Sequence, residues 1–383
     1  MTYYVLTALL TTLALASIAY RLVSLVAAIR FFSRADKPSS PIPPPPVSVM
    51  IPLCGVDFEA YENYLSFCRQ EYPEFQLVFG VQDPGDSSVE VVRRLMAECP
   101  DRDIELVIGS ETIGHNPKVN NLHNMSKRVK HDIIVLADSD IRVEPDYLSS
   151  VAEQLDDDRV GLVTCFYRAG AAPSLGAKIE AVGITGDFAS GVLVANQLEG
   201  MSFALGATIG VKRKVLESIG GFKAVADYLA DDYMLGNLVW KAGCQVRLSR
   251  HVVQTVLHPV SIASMITHQV RWARGIRACR PRGHFGSIVT YGTALACLNV
   301  LVCSTSLPSL LLLASVLSVR LCSAWFVGVR CLGDDILRRN ILLVPIADIL
   351  GFVVWCLGIR GRNVVWRGKT FHLDKDGKIV PAG

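Results

Sequence analysis

Charge is scarce in this sequence. Only 19% of its 383 residues are Asp, Glu, Lys or Arg, and the two signs nearly cancel to a net charge of +3. Nucleic-acid binding needs a strong positive field, so that partner class is excluded. CxxC pairs are absent, and so are internal repeats. The eleven cysteines are scattered, with Cys297, Cys303, Cys322 and Cys356 inside apolar runs. That distribution suits buried thiols in a reducing compartment and argues against a zinc site or a disulfide framework. Apolar residues are in excess, at 51% with a mean hydropathy of +0.36, which is too apolar for an ordinary soluble enzyme.

Charge is missing in blocks. None occurs from Thr2 to Tyr20, and the apolar run resumes from Leu22 to Ile29 after the single Arg21. The run is long enough to span a bilayer. It exceeds the apolar region of a signal peptide and no basic segment precedes it, so residues 1–32 read as a transmembrane helix. Arg21, Arg30, Arg34 and Lys37 put its C-terminal side in the cytosol by the positive-inside rule. A Pro-rich linker over 33–46 reads as a stiff spacer. A second charge-free block runs from Phe285 to Val319, and after Arg320 it continues from Leu321 to Val329. A third, Ile341 to Ile359, carries only Asp348. These predict a C-terminal transmembrane region over 285–360 with two or three spans, at about 287–304, 308–329 and 341–359. The basic, aromatic tail over 361–383 is left on either side.

Between these blocks, residues 47–284 alternate strand-like and helix-like segments. Strands are expected at Val47–Ile51, Phe75–Val81, Ile104–Ile108, from Ile133, at Val160–Phe166 and at Phe203–Val211. Helices are expected at Phe58–Cys68, Val89–Met96 and Lys118–Met125. Such alternation implies an α/β domain with a mainly parallel, doubly wound sheet. Leu175 to Leu198, mostly apolar, reads as helical cover or as a lipid-facing element.

The chemistry gathers around one stretch. Ile133 to Leu136 is a short apolar run that ends in Asp138-Ser139-Asp140. Carboxylates at the C-terminal edge of a buried strand face the crevice where open α/β sheets bind ligands. Two of them one residue apart can share a hard cation, the usual counter-charge of a diphosphate, or simply form a polar turn. Asp83, before Pro84-Gly85, suits either a ribose or base contact or ordinary turn chemistry. The loop Gly114 to Leu122 (GHNPKVNNL) opens a helix, where Lys118, Asn120 and Asn121 suit an anion, or a capped surface loop. Asp231-Asp232 would be favoured by a helix dipole alone, yet paired acids also make a general base. Finally His268-Gln269-Val270-Arg271-Trp272 continues through Arg274, Arg277, Arg280 and Arg282. At helical spacing this gives a basic face for anionic headgroups, or an arginine for a diphosphate.

The order Asp, Asp-x-Asp, Asp-Asp, then x-x-x-Arg-Trp ahead of a membrane bundle resembles membrane glycosyltransferases of the family-2 type. More closely, VGLVTCFYR (Val160 to Arg168), GHNPKVNNL, LADDYMLG (Leu229 to Gly236) and HQVRW look like the ceramide glucosyltransferase family. HQVRWARGIRACRPRG also resembles that family's bacterial hopanoid-pathway relatives. One departure is His268, where the family's last motif begins with Gln or Arg. The resemblance implies a GT-A fold, a Rossmann-like nucleotide-binding domain, in the cytosol. It also implies an integral membrane protein of the bacterial inner membrane. By the same resemblance, a hexose (glucose or N-acetylglucosamine) passes with inversion from a UDP-sugar to a membrane lipid hydroxyl, on ceramide or a hopanoid. Asp83 would hold the uridine, Asp138 the nucleotide, and Asp140 a Mg²⁺ or Mn²⁺ ion. Lys118, Arg271 and Trp272 would serve the diphosphate and sugar. Asp232, or failing it Asp231, would be the base. Two rivals stand beside this reading. One is a processive polysaccharide synthase, which needs more spans. The other is a silent membrane scaffold that keeps a nucleotide fold.

Overall fold

The computed structural model describes residues 2–33, 44–366 and 369–381, so most of the Pro-rich linker lies outside the described residues. The chain divides into two compact units. One comprises residues 36–171, 201–258 and 371–383, and the other residues 1–35, 172–200 and 259–370.

The first unit is built on an eight-stranded sheet. In chain order its strands are β1 (Val47–Pro52), β2 (Phe75–Val81), β3 (Asp103–Ile108), β4 (Ile133–Ala137), β5 (Ile141–Arg142), β6 (Val160–Ala171), β7 (Thr208–Lys212) and β8 (Gln245–Val256). Their spatial order is β3-β2-β1-β4-β7-β6-β8-β5. β3, β2, β1 and β4 run parallel. β7 lies antiparallel to both β4 and β6, while β8 is parallel to β6. Every residue of β1, β2 and β4 is buried, as mostly apolar strands covered on both faces require, and the two polar exceptions, Ser48 and Gln76, bond each other at 2.9 Å. Val49, Leu77, Val135 and Val163 form the middle of that core together with Phe67 and Phe79.

The sheet departs from the expectation most at β7 and β8, while β6 runs on to Ala171 and the two-residue β5 is an addition. β7 begins only at Thr208, because residues 201–207 form an irregular approach held by β6, where the Thr164 hydroxyl donates to the Leu205 carbonyl and accepts from the Leu205 N–H. β8 was not expected at all. It pairs along the whole of β6, but the register jumps between Cys165↔Ser249 and Phe166↔Val252. Arg250 and His251 bulge out there, and the bulge breaks the period-two pattern that marks a strand.

The second unit is helical. Among the described residues, three helices are long and apolar enough to cross a membrane: Tyr3–Phe32, Leu307–Cys331 and Ile341–Ile359. The span expected at 287–304 is instead a pair, Pro281–Thr290 and Gly292–Val302, bent by 61°. Leu175–Leu198 is helical as expected, with a π-turn at Ile184–Phe188, and it belongs to this unit. Charges that looked solitary in the sequence are paired here. Arg21, 1% exposed, is no flanking charge. It donates to Asp187 at 2.5 Å and to the Thr290 carbonyl at 2.8 Å. Arg320 holds Asp348 through both carboxylate oxygens at 2.7–3.0 Å, and Thr293 donates to the same carboxylate. After a short strand β9 (Asn363–Trp366) the chain returns to the first unit. There β10 (Lys369–Leu373) and β11 (Ile379–Pro381) form a hairpin, with Leu373 opposite Ile379.

Candidate active site

The acids gather at the C-terminal end of β4. Asp138 is the first residue beyond the strand, and Lys118 lies 2.5 Å from its Oδ1. The same ammonium sits 3.8 Å from Asp231, the first residue of the Asp231–Lys241 helix. Asp232 closes the ring from beside Gly206. A Cβ built on Gly206 would stand 2.8 Å from Asp232 Oδ2 and 3.4 Å from Asp138 Oδ2. Asp138 and Asp231, far apart in sequence, therefore line one small cleft with Lys118, Gly206, Leu136, Phe222 and Val225, and Asp232 stands at its edge beside Gly206.

The loop before Lys118 folds for local reasons. Asn116 caps the Pro117–Ser126 helix by accepting from the Val119 N–H at 3.2 Å, and Pro117 supplies a preset first turn. Its amide nitrogen also donates to Tyr228 O at 2.7 Å and to Asp231 Oδ1 at 3.2 Å. One residue thus ties the lysine's helix to the acid pair. Asn120 and Asn121, read as polar groups for a ligand, are buried braces instead. Asn120 accepts from the N–H groups of Ile113 and Gly114, and Asn121 donates to the Leu53 and Gly80 carbonyls.

The electrostatics follow from crowding. Burial works against the Lys118 charge, but Asp138, Asp231 and Asp232 outweigh it and hold the group as an ammonium ion. Burial, and then Asp138, push the Asp140 carboxyl up to about 7, against a lowering bond from Thr255. Burial, and then Asp231, push Asp232 up to about 6. Asp231 is likewise raised, chiefly by burial. Carboxylates kept this close bear a repulsion that a cation relieves. Among the described residues no three His, Cys, Asp or Glu groups converge as a complete metal site. The donor set at β4 still fits a hard cation, because Mg²⁺-type ions commonly take one or two protein carboxylates and complete their shell with phosphate.

Several residues here had little sequence signal. Thr255, on the unexpected β8, donates to Asp140 Oδ2 at 2.7 Å, and the Asp140 carbonyl accepts from Val256 N at 2.8 Å. Asp57, after β1, bonds His258 at 3.0 Å and adds to the field that raises Asp140. Gly206 stood in a Gly-rich segment, which was its only mark. Asp83 is exposed beyond β2, where its Oδ1 accepts from Gly85 N at 2.8 Å, so the turn chemistry is real.

Arg271 and Trp272 lie in the helical unit, on Ile262–Cys279. Trp272 packs on His268 with centroids 4.4 Å apart, His268 faces the buried Glu180 at 3.5 Å, and Arg271 lies over the Trp366 ring. The basic face is partly consumed structurally. Arg274 donates to the carbonyls of Arg360 and Asn363, and Arg277 to those of Ile359 and Gly361. These carbonyls lie at and just past the end of the Val344–Ile359 helix, where the last turn lacks partners of its own.

Gly206 carries a testable consequence. Gly206→Ala places a methyl group 2.8 Å from Asp232 Oδ2, closer than van der Waals contact allows, and the flexible carboxylate gives way more easily than backbone would. The variant is expected to melt like the wild type while turning over about 10–100-fold more slowly, because ångström-scale misplacement costs that much. Thermal melting and turnover measured on one preparation check both halves.

A curled, mostly parallel sheet with acids at the C-terminal rim, accompanied by apolar helices, defines a membrane-associated protein of the GT-A class. The mannosyltransferase from Pyrobaculum calidifontis, solved with GDP-Man and Mn2+, has the same fold. Its TM-score is 0.57 at 20% identity, over 91% of this chain and 98% of that one. Residues 9–379 match Glycosyl transferase family 21, and the chain belongs to that family. Among curated relatives, ceramide glucosyltransferase 3 of Caenorhabditis elegans is 26% identical over 366 residues, which is 88% of this chain and 74% of the relative. Ceramide glucosyltransferase 1 of the same organism is 28% identical over 231 residues, 60% of this chain. The chain spans about half the length of that relative, 49%. The resemblance to ceramide glucosyltransferases read from the motifs is borne out.

Proposed function

We propose that this protein transfers a hexose, with inversion, from a UDP-sugar to the hydroxyl of a membrane lipid, a ceramide or a hopanoid. One observation carries the reading. Lys118 stands among Asp138, Asp231 and Asp232 at the C-terminal end of β4, with Asp140 beside them. Four carboxylates around a single ammonium are more acid than one lysine can balance.

Asp140 is the group proposed to hold Mg²⁺ or Mn²⁺, with Asp138, paired to Lys118, facing the nucleotide. Such a cation offsets the negative charge that develops on a departing diphosphate. Lys118 adds a fixed positive charge, already oriented by Asp138. The exposed Asp83 keeps a second oxygen for the uracil or ribose. Asp232 acts on the acceptor: its carboxylate takes the hydroxyl proton as the lipid oxygen bonds to the anomeric carbon. The bond from that carbon to the phosphate oxygen breaks on the opposite face, so no covalent enzyme intermediate forms. Arg271 and Trp272 are proposed as contributors to turnover on the resemblance alone.

The membrane disposition is part of the proposal. The chain leaves the sheet unit at His258 and returns to it at Phe371, which supports an even number of crossings in between. Leu307–Cys331 and Ile341–Ile359 would cross, and the bent pair would enter and leave on one side. Sheet and tail would then share the cytosolic face of a bacterial inner membrane.

The test is detergent-purified protein given UDP-glucose or UDP-N-acetylglucosamine, Mn²⁺, and ceramide or a hopanoid polyol, with glycolipid read by mass spectrometry. The base must be ionised to work. With Asp232 pushed up to about 6, kcat/KM is expected to rise roughly tenfold per pH unit below pH 6 and to level off above it. Hydrolysis of the donor without any lipid product would remove the acceptor half of the reading. A flat profile between pH 5 and 8 would remove Asp232.

A further inference from the structure

The C-terminal hairpin, left without a role by the sequence, reaches the acid pair through the backbone. Ile379 N donates to Asp227 O at 2.7 Å, and Leu229 N donates to Gly377 O at 3.3 Å. Tyr228 and Lys378 form an antiparallel bridge, with the Lys378 ammonium over the Tyr228 ring at 5.5 Å. Gly377–Ile379, at the start of β11, therefore bridges Asp227–Leu229, two residues ahead of Asp231.

The other side of that segment grips the loop of Lys118. Asp227 Oδ1 accepts from His115 N at 2.9 Å and faces the His115 ring nitrogen at 2.8 Å. Ala226 O accepts from Asn116 N, and Tyr228 O accepts from Asn116 Nδ2. The segment is thus clamped between the hairpin and the helix cap whose Asn116 also donates to Asp231.

The hairpin is built to hold a fixed shape. Asp374 Oδ1 accepts from both Asp376 N and Lys378 N at 2.8 Å, and Gly377 takes φ +85°, a conformation that favours glycine. Phe371, Leu373 and Ile379 are buried. An exposed tail with no task would not need three buried apolar anchors.

We propose that the hairpin Phe371–Pro381 is a positioning element for sugar transfer. Its strand fixes Asp227–Leu229, and through that segment the spacing between Asp231-Asp232 and Lys118. This rests on the reading of Asp232 as the base. The contacts that matter are mainly main-chain bonds.

The test uses full-length enzyme in detergent with three changes: Ile379→Pro, which removes the N–H that bonds Asp227; Lys378→Ala, at a partly exposed position; and truncation after Thr370. For Ile379→Pro the expected result is a kcat at least 10-fold lower, with the donor KM and UDP affinity within about threefold of wild type. Lys378→Ala should lower kcat about 2–5-fold. A synthetic peptide of residues 371–383 added to the truncated enzyme should restore turnover in a saturable way. A general loosening of the fold would raise donor KM and resist such rescue. Wild-type kcat in Lys378→Ala together with wild-type kcat in either other form overturns the proposal. So does a loss of kcat matched by an equal loss of UDP affinity. Asp232→Asn measured alongside separates the two ideas. If it is inactive while the hairpin variants are normal, only the positioning role fails, and if it is active, the base assignment fails.

Discussion

Asp232→Asn is expected to abolish most sugar transfer while UDP binding stays intact. General-base catalysis contributes roughly 10²–10⁴-fold, and the amide cannot take the proton. Binding survives because the groups proposed for the nucleotide, Asp83, Asp138 and Lys118, keep their places. The same substitution should stabilise the fold. Asp232 is raised from an ordinary 3.8 to about 6, so its ionised form is disfavoured in the native protein. The penalty is absent below about pH 4, grows as pH rises through about 6, and is complete above that. A difference of this size corresponds to roughly 1–3 kcal/mol at neutral pH. The variant should therefore melt higher than the wild type at pH 8 and alike at pH 4. Calorimetric melting at both pH values and turnover at pH 8 give the result. Near-normal turnover, or a lower melting point at pH 8, would contradict the assignment.

Asp348→Asn should be the most damaging single change outside the cleft. Arg320 and Asp348 are 2% and 3% exposed, and they lie on two of the helices long enough to cross a membrane. The arginine also donates to Gly186 O at 2.9 Å, tying in the π-turn. Removing one partner strands the other charge in an apolar surrounding, a loss of about 3–5 kcal/mol in buried pairs. Purified yield and thermal melting in detergent should both collapse. Arg320→Met combined with Asp348→Leu removes both charges and should recover much of the loss, since apolar replacement of a whole buried pair is often neutral. A double variant as unstable as the single one would mean that the hydrogen bonds to Thr293 and Gly186, rather than the ion pair, hold these helices together.

Much of the sheet was legible because its signals are local. The Val/Ile/Leu runs of β1, β2 and β4 and the amphipathic helices between them need only neighbouring residues to declare themselves. β8 failed that test because its bulge at Arg250-His251 shifts the alternation midway. Asn116 was legible as a cap before Pro117, but its bonds to Tyr228 and Asp231 span more than a hundred residues. Arg274 and Arg277 were rightly read as one helix face. Their use in capping a distant helix end had no trace in local spacing.

The sequence by itself determined that Asp138 and Asp140 end a buried strand, that Asp231 and Asp232 stand near a helix start, and that the flanks are apolar enough for a membrane. Those are properties of runs of a few residues, set by side-chain hydrophobicity and backbone preference. It took the tertiary fold to bring Asp138, Asp231 and Asp232 around one lysine beside Gly206, and to return residues 377–379 to the segment Asp227–Leu229 just ahead of Asp231. Such convergence depends on loop closures between segments far apart in the chain, and their outcome is set by packing of the whole sheet rather than by any stretch of it.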